Sequence, residues 1–418
     1  MKLPRRTTSL KRTKLAASFA LLGVTGGLLA ACGSGAGAGS SDGDIVVGGL
    51  WPLSGQYAYS GKAVLAGAEA AVEDINAAGG IKALDGRKIR LESADAGTSA
   101  QTATAAANRL LSSGDVSAVA GAWSSALTIA ASEVTERRGV PMVSESFADD
   151  VTAREGFSHV FGYSPPSSQT ATLMADAVVG SLESTGKKLE TVAVVGDNSP
   201  GGTPLQEALI KDLEGRGVKV AAYEQWTPPL QDASGVAQKI ASANADAVLL
   251  VAFSFNDVSS LVKQVRARGV TTPIIQSGGQ GVLPQWLQVG DSIEGMSSFV
   301  YTNPLSKDPE LTASIAESTG DDYVWQDQIG GYIAVTLIAD ALEAAGDSDP
   351  EAVTKALAGL KLDSGAVVDL LPMDEFSFDD NGRVKARGSV LAQWQKVDGK
   401  LVPCTVFPVD VAECKGQW

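Results

Sequence analysis

The stretch from Asp44 to Ile81 constrains the fold most. Ile45 to Val47 is a short β-branched run of the kind found in buried strands. Gly48, Gly49, Pro52, Ser54 and Gly55 break that run into a loop. Val64, Ala68, Ala71, Val72 and Ile75 then recur at helical spacing, and Gly79-Gly80 ends the helix. A strand, a glycine-rich loop and a helix leave backbone N–H groups at the carboxyl edge of a sheet, where open α/β folds take ligands. The same loop carries Trp51, Tyr57 and Tyr59, aromatic residues suited to covering an organic ligand.

The pattern repeats along the chain. Residues 88–92 alternate as a strand, 100–111 read as a helix, 116–120 as a strand, 124–138 as a helix and 140–143 as a strand. After Pro165-Pro166 the alternation restarts with a helix at 173–182 and a strand at 191–195, and continues to a strand at 273–276. Strand alternating with helix predicts parallel sheets covered by helices on both faces. The fold class is therefore α/β, with two doubly wound parallel-sheet lobes, and 418 residues are enough for both. Helices are expected at 329–345 and 350–360. Hairpins follow, with 375–378 turning at Asp379-Asp380-Asn381-Gly382 onto 387–396, and a second turn at Asp398-Gly399.

Residues 1–31 stand apart from this pattern. Lys2, Arg5, Arg6, Lys11, Arg12 and Lys14 form a basic segment ahead of the uncharged apolar run from Leu15 to Ala31, which reads as a secretory signal. The run ends in Leu29-Ala30-Ala31-Cys32, which resembles the bacterial lipobox. That resemblance implies cleavage before Cys32 and its acylation. The alternatives are a plain secretory signal with an incidental cysteine and, from Arg5-Arg6, export by a twin-arginine route. Residues 32–43 are rich in glycine and serine and read as a flexible tether.

Of the three cysteines, Cys404 and Cys414 remain, ten positions apart in an exported chain, and a disulfide between them is expected. A metal pair is the other possibility, although no histidine lies near. The net charge is −15, and the signal holds six basic and no acidic residues, so its removal leaves −21. Such a surface repels nucleic acid, and no nucleic-acid partner is expected.

Motifs for chemistry are sparse. His159 is the only histidine, which excludes His-rich zinc sites and points to a structural role. Gly55 to Lys62 resembles a phosphate loop, but Ala63 stands where the magnesium-binding hydroxyl belongs. Asp379 to Gly382 lacks the alternate spacing of a calcium loop. No nucleophile is paired with a base, so no enzyme activity, cofactor or metal is expected. Polar or aromatic residues do recur just after predicted strands: Trp123, Ser124 and Ser125; Ser144 to Phe147; Phe253, Ser254 and Phe255; Ser277, Gly278 and Gln280. Parallel strands bring those positions together at one sheet edge. Hydroxyls and helix N-terminal N–H groups there suit a carboxylate.

Several segments together resemble the branched-chain amino acid binding proteins of ABC importers, with the type I periplasmic-binding fold. They are Pro52-Leu53-Ser54-Gly55, Asp74-Ile75-Asn76-Ala77-Ala78-Gly79-Gly80-Ile81, Gly121-Ala122-Trp123-Ser124-Ser125, Arg138-Gly139-Val140-Pro141 and Gly330-Gly331-Tyr332. The resemblance covers nearly all of residues 44–403. It implies two lobes, 44–165 with 298–384 and 166–297 with 385–418, joined by three crossovers. It also implies a monomer that hands a small molecule to a membrane permease. The family's carboxylate-binding hydroxyl falls on Ser125, with Ser124 beside it, and Ser146 is expected to substitute for a hydroxyl that Ala148 lacks. The aromatic before the first helix falls at Ser60, with Tyr59 adjacent, and Tyr332 keeps a family aromatic. A second-lobe tyrosine is replaced by Pro200-Gly201, and the acid that pairs with an amino group falls near Gly278. These departures from the family's pattern point to a carboxylate with an apolar or aromatic body in preference to a free α-amino acid, walled by Trp51, Tyr59, Trp123, Phe147, Phe253 and Tyr332. Cys32 would anchor the protein to the outer face of the membrane. The alternative function is a ligand-sensing domain of a signalling system with the same fold.

Overall fold

A computed structural model describes residues 43–300, 309–320, 323–385 and 388–418. The signal, Cys32 and the tether up to residue 42 lie outside the described residues. The chain begins β1 (Ile45–Trp51), α1 (Ala58–Ala77), β2 (Ile89–Asp95), α2 (Ala100–Leu110), β3 (Val116–Gly121), α3 (Ser125–Arg138), β4 (Met142–Ser144) and β5 (Val160–Gly162). These five strands form one parallel sheet in the order β2-β1-β3-β4-β5. Every residue of β1 and β3 is buried, as expected of strands covered on both faces.

The second sheet follows α4 (Ser167–Glu183). It takes β6 (Thr191–Asp197), α5 (Gly202–Gly215), β7 (Lys219–Trp226), α6 (Ser234–Ala243), β8 (Ala247–Val251), α7 (Phe255–Ala267), β9 (Ile274–Gln276) and β10 (Ser297–Val300). Beyond α8 (Pro309–Thr319) the chain returns as α9 (Gln326–Ala345), α10 (Pro350–Gly359), β11 (Lys361–Leu362), α11 (Ala366–Leu370) and β12 (Phe376–Ser377). The closing hairpin, β13 (Val390–Val397) and β14 (Lys400–Phe407), adds antiparallel to β10, giving the order β14-β13-β10-β9-β8-β6-β7. Its turn has φ 51 at Asp398 and φ 78 at Gly399, the double left-handed conformation of a type I′ turn.

One expected pairing is corrected. The 375–378 strand does not pair forward onto 387–396; β12 pairs back on β11. Among the described residues, the turn at 379–382 closes a single bridge between Phe378 and Val384, and Arg383 beside it makes the buried contacts described below.

Helix ends follow local chemistry. Ser99 and Thr102 cap α2 reciprocally, each backbone N–H reaching the other's hydroxyl at 3.2 Å. Asp349 caps α10 by accepting from the Glu351 N–H at 3.0 Å, with Pro350 at the first helical position. Helix α9 is buried along most of its length and lies against α1. A side chain on Gly67 would strike the Gln328 carbonyl, and one on Gly331 the Val64 carbonyl. Glycine at both positions lets the two backbones approach closely. This packing fixes the start of α9, which carries Gln326 and Asp327 to the site.

Cys404 and Cys414 are bonded, with their Cα atoms 5.7 Å apart, within the ordinary range. His159 has a structural place, with Nδ1 2.8 Å from Glu136 Oε1. Desolvation of Glu136 is outweighed by its bonds from His159 and Ser158, which hold that carboxyl below its usual range.

Candidate ligand-binding cleft

A cleft is lined from both sheets. Its walls come from the loops after five parallel strands, together with Tyr57 beyond β1 and Gln326 at the start of α9. Trp123, Ser124 and Ser125 follow β3; Glu145 and Phe147 follow β4. Ser199, Pro200 and Gly201 follow β6, Phe253 follows β8, and Gly278 and Gln280 follow β9.

Ser124 is the residue before α3, and its hydroxyl caps no backbone group. Ser125 Oγ accepts from the Ala148 N–H at 3.2 Å, so its own proton remains to donate. The apolar walls meet across the cleft. Phe147 and Phe253 stack tilted with centroids 5.2 Å apart, and Tyr57 packs on Trp123 at 5.3 Å. Burial, reinforced by Asp197, pushes the Tyr57 hydroxyl up to about 12. Trp123 has φ 68, a region sparsely used by bulky residues, and its indole N–H donates to Asp327 Oδ1 at 3.0 Å. Burial pushes Asp327 up to about 6 against its bonds from Ser60 and Trp123.

Of the residues expected at the site, Trp123, Ser124, Ser125, Phe147, Phe253 and Gln280 line the cleft. Six others stand outside the lining. Trp51 ends β1 inside the first-sheet core, 1 % exposed. Tyr332 is also in that core, its hydroxyl donating to Asp74 Oδ2 at 2.9 Å. Tyr59 stacks on Trp325 at 5.5 Å. The Ser60 hydroxyl is spent on Asp327. Ser146 Oγ is bonded to Thr128 Oγ1 at 2.6 Å and donates to the Trp123 carbonyl at 2.8 Å. Ser254 caps α7, accepting from the Asp257 N–H at 3.4 Å.

Glu145, which the sequence groups with the residues after the strand at 140–143 without choosing it for the site, lines the cleft. Its Oε1 is buried without a partner, and burial, reinforced by Asp327, pushes its carboxyl well above the usual range. The direction of alternation in the 144–147 loop is set by packing against Thr128, not by the local sequence. Ser144 and Ser146 bond to each other at 3.0 Å inside the fold, while Glu145 and Phe147 face the cleft. Among the described residues, no group of three or more His, Cys, Asp or Glu residues is placed to hold a metal ion.

Two α/β sheets whose carboxyl edges share one cleft define the class, a two-lobed α/β protein with a ligand cleft between the lobes. A family model described as periplasmic binding protein matches residues 44–400, and the chain belongs to that family. Family membership makes it an extracytoplasmic solute-binding protein associated with an ABC importer. It is 31 % identical over 386 residues to the Leu/Ile/Val-binding protein homolog 8 of Brucella abortus (strain 2308), covering 89 % of this chain and 92 % of that one. The leucine-binding protein of Thermotoga maritima MSB8 has the same fold, with TM-score 0.73 and 22 % identity over 88 % of this chain and all of that one. An R. palustris solute-binding protein solved with 4-hydroxybenzoate matches with TM-score 0.72 and 23 % identity, over 86 % of this chain and 95 % of that one.

Proposed function

We propose that this protein captures a small carboxylate with an apolar or aromatic body and delivers it to an ABC permease without chemical change. Branched-chain or related amino acids and aromatic or aliphatic carboxylates are the candidate ligands. One observation carries the reading. The Ser124 hydroxyl and the proton of the Ser125 hydroxyl stand at the N-terminus of α3, beside the aromatic walls of Phe147, Phe253, Tyr57 and Trp123. A helix N-terminus and hydroxyl donors favour an anion, and the rings cover an apolar body. The names of the relatives agree with this chemistry, for both leucine and 4-hydroxybenzoate occur among them.

The two lobes, 44–165 with 298–384 and 166–297 with 385–418, would close by a hinge at their crossovers. The protein would act as a monomer held to the outer face of the membrane by lipidated Cys32, and the closed form is what the permease engages. Residues 44–418 should show a raised melting temperature with leucine, 4-methylpentanoate, benzoate or 4-hydroxybenzoate. A ligand at 100 times its dissociation constant stabilises by about 2.7 kcal/mol. No shift with any of the four at millimolar concentration would remove the carboxylate reading.

A further inference from the structure

The first turn of α9 reaches loops of both sheets. Its backbone lies close against Gly67 and Val64 of α1, and Asp327 accepts the indole N–H of Trp123, in the first-sheet wall of the cleft, at 3.0 Å. Gln326, one residue earlier, reaches the other way. Its Nε2 donates at 2.8 Å to the carbonyl of Gly278, in the loop after β9 of the second sheet. Gly278 and Gly279 have φ 79 and φ 80, a left-handed pair that glycine adopts without steric cost. A Cβ on Gly279 would lie 2.6 Å from both Cδ and Oε1 of Gln326. The carboxamide therefore fills a notch that the glycines leave open, and Gln326 is only 5 % exposed.

Tyr323 adds a second tie, its hydroxyl donating to the Val282 carbonyl at 2.6 Å. Between the two, Trp325 is buried in an apolar cluster with Leu283 and Trp286, and it stacks on Tyr59 of α1 at 5.5 Å. The 278–286 loop is in turn fixed to its own sheet. The Gly279 N–H donates to the Phe299 carbonyl at 2.9 Å, and Trp286 Nε1 to the Gln280 carbonyl at 2.7 Å. Helix and loop are thus each held by a different sheet, and moving the sheets apart strains the contacts between them. Gly278 and Val282 are buried. Without the Gln326 or Tyr323 donor, their carbonyls would go unpaired while the cleft is closed, and water could reach them once it opens. Loss of either donor therefore penalises the closed form above the open one.

We propose that Gln326 is a positioning residue for ligand retention: seated in the Gly278-Gly279 notch, it holds the second-sheet loop on α9 and so sets the rate at which the cleft reopens. The inference rests on the closing cleft of the reading above. It places the effect in dissociation, because the contacts are broken when a ligand leaves and are made only after one has entered.

The test is stopped-flow kinetics with whichever of leucine, 4-methylpentanoate, benzoate and 4-hydroxybenzoate raises the melting temperature. Gln326→Ala should raise the dissociation rate at least about fivefold while the association rate changes less than about twofold. Gln326→Met keeps the bulk without the N–H and should fall between wild type and Gln326→Ala. Tyr323→Phe, which removes only a hydroxyl, should raise dissociation at least about threefold, and it decides alone if Gln326→Ala does not fold. A merely structural role would lower the melting temperature without this split between the two rates. Dissociation unchanged in the folded variants, or association slowed as much as dissociation is raised, would overturn the assignment and leave the carboxylate reading standing. If none of the four probes binds, that reading falls and hydrogen exchange decides the clasp. Amides of 278–286 should then exchange at least about threefold faster in Gln326→Ala, or in Tyr323→Phe if Gln326→Ala does not fold, with those of α1 unchanged, and equal exchange would overturn it.

Discussion

Arg383 Nη1 donates to the Ser146 carbonyl at 2.8 Å, across 237 positions of sequence. The same guanidinium reaches the Ser164 carbonyl at 3.2 Å, the Ala148 carbonyl at 2.8 Å and Thr152 Oγ1 at 3.1 Å. It therefore joins the loop that carries Glu145 and Phe147 to the segment running on to α4. Burial lowers its pKa to about 10, a sign of how far it is withdrawn from water.

Replacing Arg383 with Met should destabilise the fold by about 3–5 kcal/mol, because the buried oxygens it serves lose their donor. Lysine should rescue little, since one ammonium cannot span this fork of acceptors. Urea denaturation reads the effect, and a loss below about 1 kcal/mol would show that the cluster is dispensable.

Ser125 and Ser146 should separate binding from scaffold. Ser125→Ala should weaken a carboxylate ligand by roughly 1.5–3 kcal/mol, the range for a hydrogen bond to a charged group. Ser146→Ala removes a fully buried hydroxyl bonded to Thr128, Ser144 and the Trp123 carbonyl. It should cost stability of about 1–3 kcal/mol. Calorimetry beside thermal denaturation decides, and the assignment fails if Ser125→Ala leaves affinity unchanged.

Those two serines also show what the sequence could and could not convey. Strand-helix alternation was readable because β-branched runs such as Val192 to Val195 and caps such as Ser99 and Asp349 act locally. The loops that reach the ligand were readable too, since parallel strands align their carboxyl ends. Side-chain parity within a loop was not. A shift by one position exchanges Ser146 for Glu145 or Phe147, and only packing against Thr128 decides which side faces inward. Trp51 looked like a loop aromatic, but β1 runs through it and its ring lies over Gly49. The Gly330-Gly331-Tyr332 motif points to Tyr332 as a ligand residue, while its hydroxyl meets Asp74 on α1. Such contacts lie between helices far apart in sequence, and no local pattern encodes them.

Asp327 gives a pH signature. Its carboxyl is raised from 3.8 to about 6 by burial, so the folded state holds its proton where the unfolded chain has lost it. Its effect on stability is therefore full below about pH 4, falls as the pH rises through that window, and is lost above about 6. A shift of this size corresponds to about 3 kcal/mol. Asp327→Asn keeps an oxygen for the Trp123 indole and does not titrate. Its stability relative to wild type should rise by up to about 3 kcal/mol between pH 4 and 7, and a flat difference would count against the shift.

The lipid anchor rests on Cys32 after Leu29-Ala30-Ala31. Cys32→Ser should release the protein to the medium or leave its signal uncleaved. Mass spectrometry and membrane fractionation read this, and unchanged mass with full membrane retention would rule the anchor out.

Gly201 tests whether the cleft is where the ligand goes. It sits between the two sheets' contributions, and an added Cβ would lie 3.3 Å from Ser125 Oγ and 3.3 Å from the Phe147 ring. Its φ of −87 is ordinary for any residue, so a side chain there brings no backbone strain. Gly201→Leu would therefore place its bulk in the ligand's space and hold Phe147 away from Phe253. Affinity for a carboxylate ligand should fall at least tenfold. The melting temperature of the ligand-free protein should change little, because the new methyl groups enter the cleft and not a core. If Gly201→Leu binds as tightly as wild type, the ligand is held elsewhere. If it loses stability in step with affinity, the loss reports misfolding, and Gly201→Ala, whose single methyl needs a shift of only tenths of an ångström, should then give a smaller fall in affinity with the fold intact.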